Sequence, residues 1–170
     1  IIKRKNVKLI VKSFNEIKKD KKYEDVQLIM IGKGDQKYIN QCFDLLSEEA
    51  RKNVIHQEFI ENTQLKYIYE EADMFLLPSL QEIFGMVLLE AMYFGLPVVS
   101  SNSAGGETLI ENNKNGIIVT KFDEEEWKNR ICFLLDNEDI REKMGQEAMI
   151  TIKSKFMWES IVSKMIKYIN

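Results

Sequence analysis

Apolar and polar positions along the chain alternate between two kinds of run, one with helical spacing and one of strand length. Val7, Ile10, Val11, Phe14 and Ile17 recur at three- and four-residue intervals and predict a helix from about Asn6. Lys18 to Lys22 then reads as a solvated turn. Val26 to Gly32, VQLIMIG, is continuously apolar and predicts a buried strand. A helix follows over Asp35 to Ala50, with Tyr38, Ile39, Cys42, Phe43, Leu45 and Leu46 on its inner side. Asn53 to Gln57 predicts a short strand, Asn62 caps a helix through TQLKYIYEEA, and Asp73 to Pro78 forms another strand. From Gly85, GMVLLEAMYF is apolar on nearly every side, which predicts a helix buried all round. It stops at Gly95 with Pro97 two residues on, and the strand PVVS then runs into a polar turn closing on Gly105-Gly106.

A short helix near Glu107 to Glu111 precedes the turn signal Asn115-Gly116 and the strand GIIV. Asp123, with Glu126 three residues on, reads as a helix cap. The acidic run DEEE is therefore a helix start rather than a metal site. Trp127, Ile131, Leu134 and Leu135 face the core from that helix, and another begins at about Asp139. The tail sets Phe156, Ile161, Met165 and Ile169 along one helical face with four lysines nearby. Such a face packs on its own domain or lies on an anionic membrane surface. Strands alternating with helices, and apolar almost throughout, imply α/β architecture: a doubly wound parallel sheet, covered on both faces. Ligands of such sheets bind beyond the carboxyl ends of the strands. The turns after Gly32, Pro78 and Ser100, together with Lys5, lie at that edge.

Candidate chemistry concentrates between Pro78 and Gly106. Glu90 is a carboxylate among Val87, Leu88, Leu89, Ala91 and Met92, costly to bury without a hydrogen-bond partner. Glu82 precedes it by eight residues. On one helix the two would stand about 12 Å apart along the axis and about 80° apart around it. They are too distant to share a proton, but they can hold opposite ends of an elongated ligand. The free N–H groups of Phe84, Gly85 and Met86 at the helix start favour an anion between them, and Gly85 lets a phosphate approach the backbone. Hydroxyl-rich ends around an anion describe a sugar nucleotide. The alternative is that Glu90 pairs with a lysine from another element while Glu82 is solvated. Lys5 precedes the first helix, where its ammonium can reach an anion; Arg4 is a spare candidate, and the alternative for KRK is a solvated charge cluster. Gly32-Lys33-Gly34 reads as a tight turn, since a lone G-x-G is weak. His56, the only histidine, takes a structural or surface role.

Composition narrows the partners. At 170 residues the chain makes one domain of ordinary size, and its two prolines argue against long linkers. A formal net charge of -3 gives no reason to expect nucleic acid. Cys42 and Cys132 sit in helical patterns and read as free thiols, which fits a reducing cytosol. No apolar run reaches the roughly 18 residues of a membrane span. The chain opens mid-pattern at Ile1 rather than at Met, and is expected to be a piece of a longer protein.

Glu82-IFGMVLL-Glu90, preceded by Pro78-Ser79 and followed by GLPVVSS and a Gly-Gly turn, resembles glycosyltransferase family 4, and the likeness runs from about Lys5 to Trp158. The matching part is the C-terminal, donor-binding domain of these retaining GT-B enzymes. The resemblance implies that Glu90 binds the ribose of the nucleotide, Glu82 contacts the transferred sugar, and the amides of Phe84, Gly85 and Met86 meet the diphosphate. It also implies that Lys5 clamps the diphosphate and that the backbone near Ile60 meets the nucleobase. The family's arginine partner for Lys5, and most of the domain's first strand, fall before Ile1. Glu58 stands where the family often has glycine, and fewer residues separate the Gly pair from the following Glu than the family usually has. The terminal helix, about residues 156–170, would cross back to an N-terminal domain carrying the acceptor site. The implied activity is transfer of a sugar, with retention, from a nucleotide-sugar donor to a glycan or lipid-linked acceptor. The resemblance also implies that no cofactor and no divalent metal is required. Peripheral contact with a membrane is a further expectation, from the tail. Rival readings are an epimerase or phosphorylase on a similar two-domain plan, and a non-catalytic nucleotide-binding module.

Overall fold

A computed structural model describes residues 1–157. After a 3-10 turn over Lys3–Lys5, the elements are α1 (Val7–Ile17), β1 (Leu28–Ile31), α2 (Gln36–Phe43), α3 (Glu48–Lys52), β2 (Val54–Gln57), α4 (Asn62–Glu71) and β3 (Phe75–Leu77). The second half comprises α5 (Met86–Tyr93), β4 (Val98–Ser101), α6 (Ala104–Leu109), β5 (Gly116–Val119), α7 (Glu124–Asp136) and α8 (Glu138–Lys155). Among the described residues every strand pairing is parallel, in two ladders of order β1-β2 and β3-β4-β5. Residues 1–5 run between the carboxyl ends of the two ladders. The Ile1 ammonium donates to the Lys33 carbonyl beyond β1, and Leu80 N, beyond β3, donates to the Arg4 carbonyl at 2.8 Å.

The sheet is covered on both faces where β4 runs, because its consecutive side chains alternate sides. Val98 packs with Leu88, Ala91, Met92, Ala148 and Ile152 from α5 and α8. Val99 packs with Leu9, Ile10, Trp127 and Leu134 from α1 and α7. These two layers carry the doubly wound expectation. At β1 the expectation of a strand buried throughout needs correcting. Met30 is buried against Val11, Tyr38 and Cys42, whereas Ile29 and Ile31 are exposed, as is Ile55, which pairs with Ile29. Only the face toward α1 and α2 is covered, so period-two burial replaces continuous burial.

Local capping explains the other departures. The helix expected over Asp35 to Ala50 is two helices. Asp35 accepts from Tyr38 N at 2.8 Å to start α2, and Ser47 accepts from Ala50 N at 3.2 Å to start α3. A second serine cap of this kind offers the backbone an alternative to continuing the first helix. The cap position of α4 is Glu61, whose side chain makes no capping bond, and Asn62 is already helical. Gly105-Gly106 lies inside α6 rather than in a turn before it, since Ser103 accepts from Gly106 N and starts the helix there. On α5 only Leu88, Ala91 and Met92 are buried, while Met86 and Tyr93 are exposed, so this helix is not buried all round. Its exit is as expected. Gly95, at φ +80°, donates to Met92 O and Leu96 N donates to Ala91 O, both at 3.1 Å, closing the left-handed motif that glycine favours. Asp123 caps α7 by accepting from Glu126 N at 3.0 Å. Phe156 ends α8, and the remaining tail positions Ile161, Met165 and Ile169 lie outside the described residues.

Candidate functional site at the start of the fifth helix

The turn between β3 and α5 is held by three other parts of the chain. Pro78 and Ser79 are buried as β3 ends, and Ser79 O accepts from Ser101 Oγ of β4. The first residues of the chain grip the turn next: Leu80 N donates to Arg4 O, and Arg4 Nη1 donates to Gln81 O at 3.0 Å. From the other side Gly105 N of α6 donates to Glu82 O at 3.0 Å. Gly85 then turns the backbone at φ +77°, ψ +54°, left-handed, as the cap of α5. Its carbonyl accepts from Leu88 N and Leu89 N at 2.8 and 3.2 Å. No side chain caps this end of the helix. The N–H groups of Met86 and Val87 have no helical acceptor, and Phe84 and Met86 are exposed. Gly105 permits the close approach of α6, because a Cβ there would lie 2.7 Å from the carbonyl carbon and oxygen of Phe84 and 3.0 Å from Gly85 N.

Two charged groups meet beside this uncapped end, and a third stands further along α5. Lys5, from the 3-10 turn, forms an ion pair with Glu82 Oε2, although 77 residues separate them in sequence. Asn6, in left-handed conformation at φ +50°, ends that turn and starts α1. Glu82 lies in the turn, not on the helix, and its side chain is 13% exposed; Ser79 Oγ is 3.5 Å from the same oxygen. Glu90 is the fifth residue of α5, half-buried, and its Oε2 accepts from the Tyr69 hydroxyl at 3.2 Å. The alternative pairing expected from sequence is thus inverted. The lysine from another element meets Glu82, and Glu90 meets a phenol. Tyr69, near the end of α4, is buried and stacks on Phe94 with ring centroids 5.4 Å apart and planes 12° apart. Burial, and then the Glu90 carboxylate, push its hydroxyl well above the ordinary phenol range, so it stays a proton donor.

Sequence reasoning passed over Tyr69 and gave Ser79 no role. Tyr69 did carry a signal: a phenol in a helix's apolar stripe has a polar tip that needs a partner. Ile60 sits half-buried in the 58–61 loop between β2 and α4, and among the described residues no hydrogen bond ties it to Glu82, Glu90 or α5. Arg4 holds the turn through a carbonyl rather than facing an anion. His56 has its Nε2 3.2 Å from Gly32 O and its ring 6.0 Å from that of Phe43, a structural placement. Both thiols are free, and burial pushes each above its ordinary range. Among the described residues no three potential metal ligands cluster, and no helix is long and apolar enough to cross a membrane. A concavity of about 710 Å³, lined by Lys121, Asp123 and Arg130, belongs to the start of α7 and not to this site.

Helix-start amides without a helical acceptor, beside a lysine and a carboxylate and with a second carboxylate further along α5, can bind an anion flanked by hydroxyl groups. Comparison with known proteins gives this arrangement its context. The sequence pattern of the family described as glycosyl transferases group 1 matches residues 1–150. Spore coat protein SA of Bacillus subtilis is 29% identical over 151 residues, a match covering 85% of this chain and 40% of that relative. The chain therefore spans about two fifths of the relative's length. Among solved structures, the C-terminal domain of a glycosyl transferase group 1 family protein, LpcC, from Francisella tularensis has the same fold. Its TM-score is 0.84 at 20% identity, over 93% of this chain and 83% of that one. HepE of Anabaena, solved in complex with UDP-glucose, matches with a TM-score of 0.81 at 21% identity, over 98% of this chain and 45% of its own.

Proposed function

The chain belongs to the glycosyl transferases group 1, and from that premise we propose that it is the C-terminal, donor-binding part of a retaining family 4 glycosyltransferase of GT-B architecture. In this reading the diphosphate of a nucleotide sugar lies across the start of α5. The amides of Phe84, Gly85 and Met86 donate to it, and the helix dipole favours its charge. Lys5 supplies the cation. Glu90 accepts from the ribose hydroxyls at one end, Glu82 from hydroxyls of the transferred sugar at the other, and the backbone near Ile60 meets the base. HepE, which shares the fold, was solved with UDP-glucose, and a donor of that class suits the site.

The observation that carries the reading is the meeting of Lys5 with Glu82 beside an uncapped helix start, brought together across 77 residues by Arg4, Leu80 and Gly105. A diphosphate offers the Lys5 ammonium a second anionic partner, and Lys5 turning toward it leaves Glu82 for the sugar. Departure of the diphosphate builds negative charge that the ammonium and amides are already positioned to meet. The glycosidic bond to the donor phosphate breaks, a bond to the acceptor oxygen forms on the same face, and the acceptor proton leaves with the nucleotide diphosphate or a base. A glycan or lipid-linked acceptor, and any such base, belong to the rest of the protein. The scheme calls on no metal or further cofactor. We place the reaction in the cytosol, with any membrane contact peripheral.

The test is a thermal-shift panel of UDP, GDP, ADP and CMP on the full-length protein. One nucleotide at 100 times its Kd should stabilise the fold by about 2.7 kcal/mol. Glu90→Ala should abolish that response while leaving the unliganded protein folded. A full response in Glu90→Ala removes Glu90 from the site. Binding without consumption of any nucleotide sugar would favour the non-catalytic module instead.

A further inference from the structure

We propose that Tyr69 is a positioning residue for nucleotide recognition: its hydroxyl fixes the Glu90 carboxylate in the orientation that accepts from vicinal ribose hydroxyls. This rests on the assignment of Glu90 to the ribose. Glu90 stands on the fifth position of α5, where its neighbours in the chain are apolar and a carboxylate has several rotamers open to it. One of its oxygens, Oε2, is taken by Tyr69 at 3.2 Å. A carboxylate has about four acceptor sites, so one donor leaves the other oxygen free while restricting the rotamer.

Tyr69 is itself held from two sides, which makes it a fixed point rather than a mobile partner. Its ring stacks face to face on Phe94, just past the end of α5, and lies tilted against Phe75 of β3 with centroids 6.1 Å apart. Its neighbours in the core include Leu88, Ala91 and Met92 of α5, the helix that carries Glu90. The ring therefore references Glu90 to β3, the strand that delivers Glu82. The two ends of the proposed donor site are in this way tied to one packed cluster. Because the phenol remains protonated, it donates to Oε2 and leaves the other carboxylate oxygen to accept from the ligand. Ribose then binds a carboxylate whose rotamer has already been selected, and the ordering cost is met before the ligand arrives.

The experiment compares UDP with 2′,3′-dideoxy-UDP on the full-length protein, with the GDP pair measured alongside. Affinities are read by titration calorimetry for wild type, Tyr69→Phe, Glu90→Ala and the double variant. Tyr69→Phe keeps the ring and its stack, and Leu134→Ala, in the cluster with Val99 and Trp127, serves as a packing control. For whichever base binds, Tyr69→Phe should weaken the ribose nucleotide about tenfold and leave the dideoxy nucleotide unchanged. Glu90→Ala should abolish the preference for ribose, and adding Tyr69→Phe to it should change nothing more. Leu134→Ala should lower thermal stability without altering the ratio of the two affinities.

Equal weakening of both nucleotides by Tyr69→Phe would make Tyr69 a packing residue and overturn the proposal. So would an unchanged ribose preference in Tyr69→Phe when Glu90→Ala abolishes it. If Glu90→Ala itself leaves the preference intact, or no nucleotide binds wild type, the assignment of Glu90 fails and the proposal falls with it.

Discussion

Lys5 separates the chemistry of this site from its packing. Its side chain is 30% exposed but its partner Glu82 only 13%, so the lysine also neutralises a largely buried carboxylate. Its proposed contribution to turnover is of another order, because charge develops on the diphosphate as the sugar leaves. Removing one well-placed group that meets such charge costs about 2.7–4 kcal/mol, or a factor of 10² to 10³. Lys5→Met in the full-length protein is therefore expected to lower kcat by that factor while the protein still unfolds cooperatively. Lys3→Met, an exposed neighbour in the same turn, should leave kcat within about twofold of wild type if the cluster has no collective role. Steady-state rates with saturating donor check both. Equal effects from the two lysines would reduce KRK to a solvated cluster.

At the level of elements, the site depends on glycines that let backbones meet. Gly105 places the first turn of α6 against Phe84 and Gly85, and a methyl group there would sit 2.7 Å from the Phe84 carbonyl. Overpacking of this kind costs about 1–3 kcal/mol. Here the backbone that yields is the start of α5, so Gly105→Ala should weaken nucleotide binding as well as stability. Calorimetric titration beside a urea curve measures both; lost stability with unchanged nucleotide affinity would uncouple α6 from the site. The same elements show why some of the fold could be read before the coordinates. The Gly95 exit, the Asp123 cap and the strand GIIV depend on residues within a few positions of one another, so the pattern held them. The break at Ser47 competed with a good apolar stripe through Leu45 and Leu46, and periodicity alone could not see the cap win. The exposure of Ile29 and Ile31 depends on what covers the second face of β1, which the strand's own composition does not encode. At the site, Glu82, Glu90, Gly85 and Lys5 stood out as charges or a glycine in a telling place. Tyr69 did not, because its partner lies 21 residues away on another helix.

On the scale of the whole molecule, the candidate site is one-sided. Lys5, the turn from Ser79 to Gly85, α5 and α6 gather at the carboxyl ends of β3 and β4, and in the proposed reading they supply groups for a donor but none for an acceptor. Effective positioning of two reactants is worth about 7–11 kcal/mol of barrier, and an edge open to solvent can collect this only for the partner it holds. The chain matches two fifths of the length of its relative from Bacillus subtilis, which leaves room elsewhere in a protein of that size for the acceptor wall. Residues 1–170 expressed alone should therefore fold around the two clusters that sandwich β4, unfolding cooperatively by circular dichroism. They should bind nucleotide through Lys5 and Glu90, yet transfer no sugar at rates above buffer. The full-length protein should consume the same donor readily once its acceptor is supplied. A radiolabelled-donor assay on both proteins distinguishes the cases. Transfer by the isolated chain would mean that the acceptor site also lies on this edge, and the division of labour argued from its geometry would have to be redrawn.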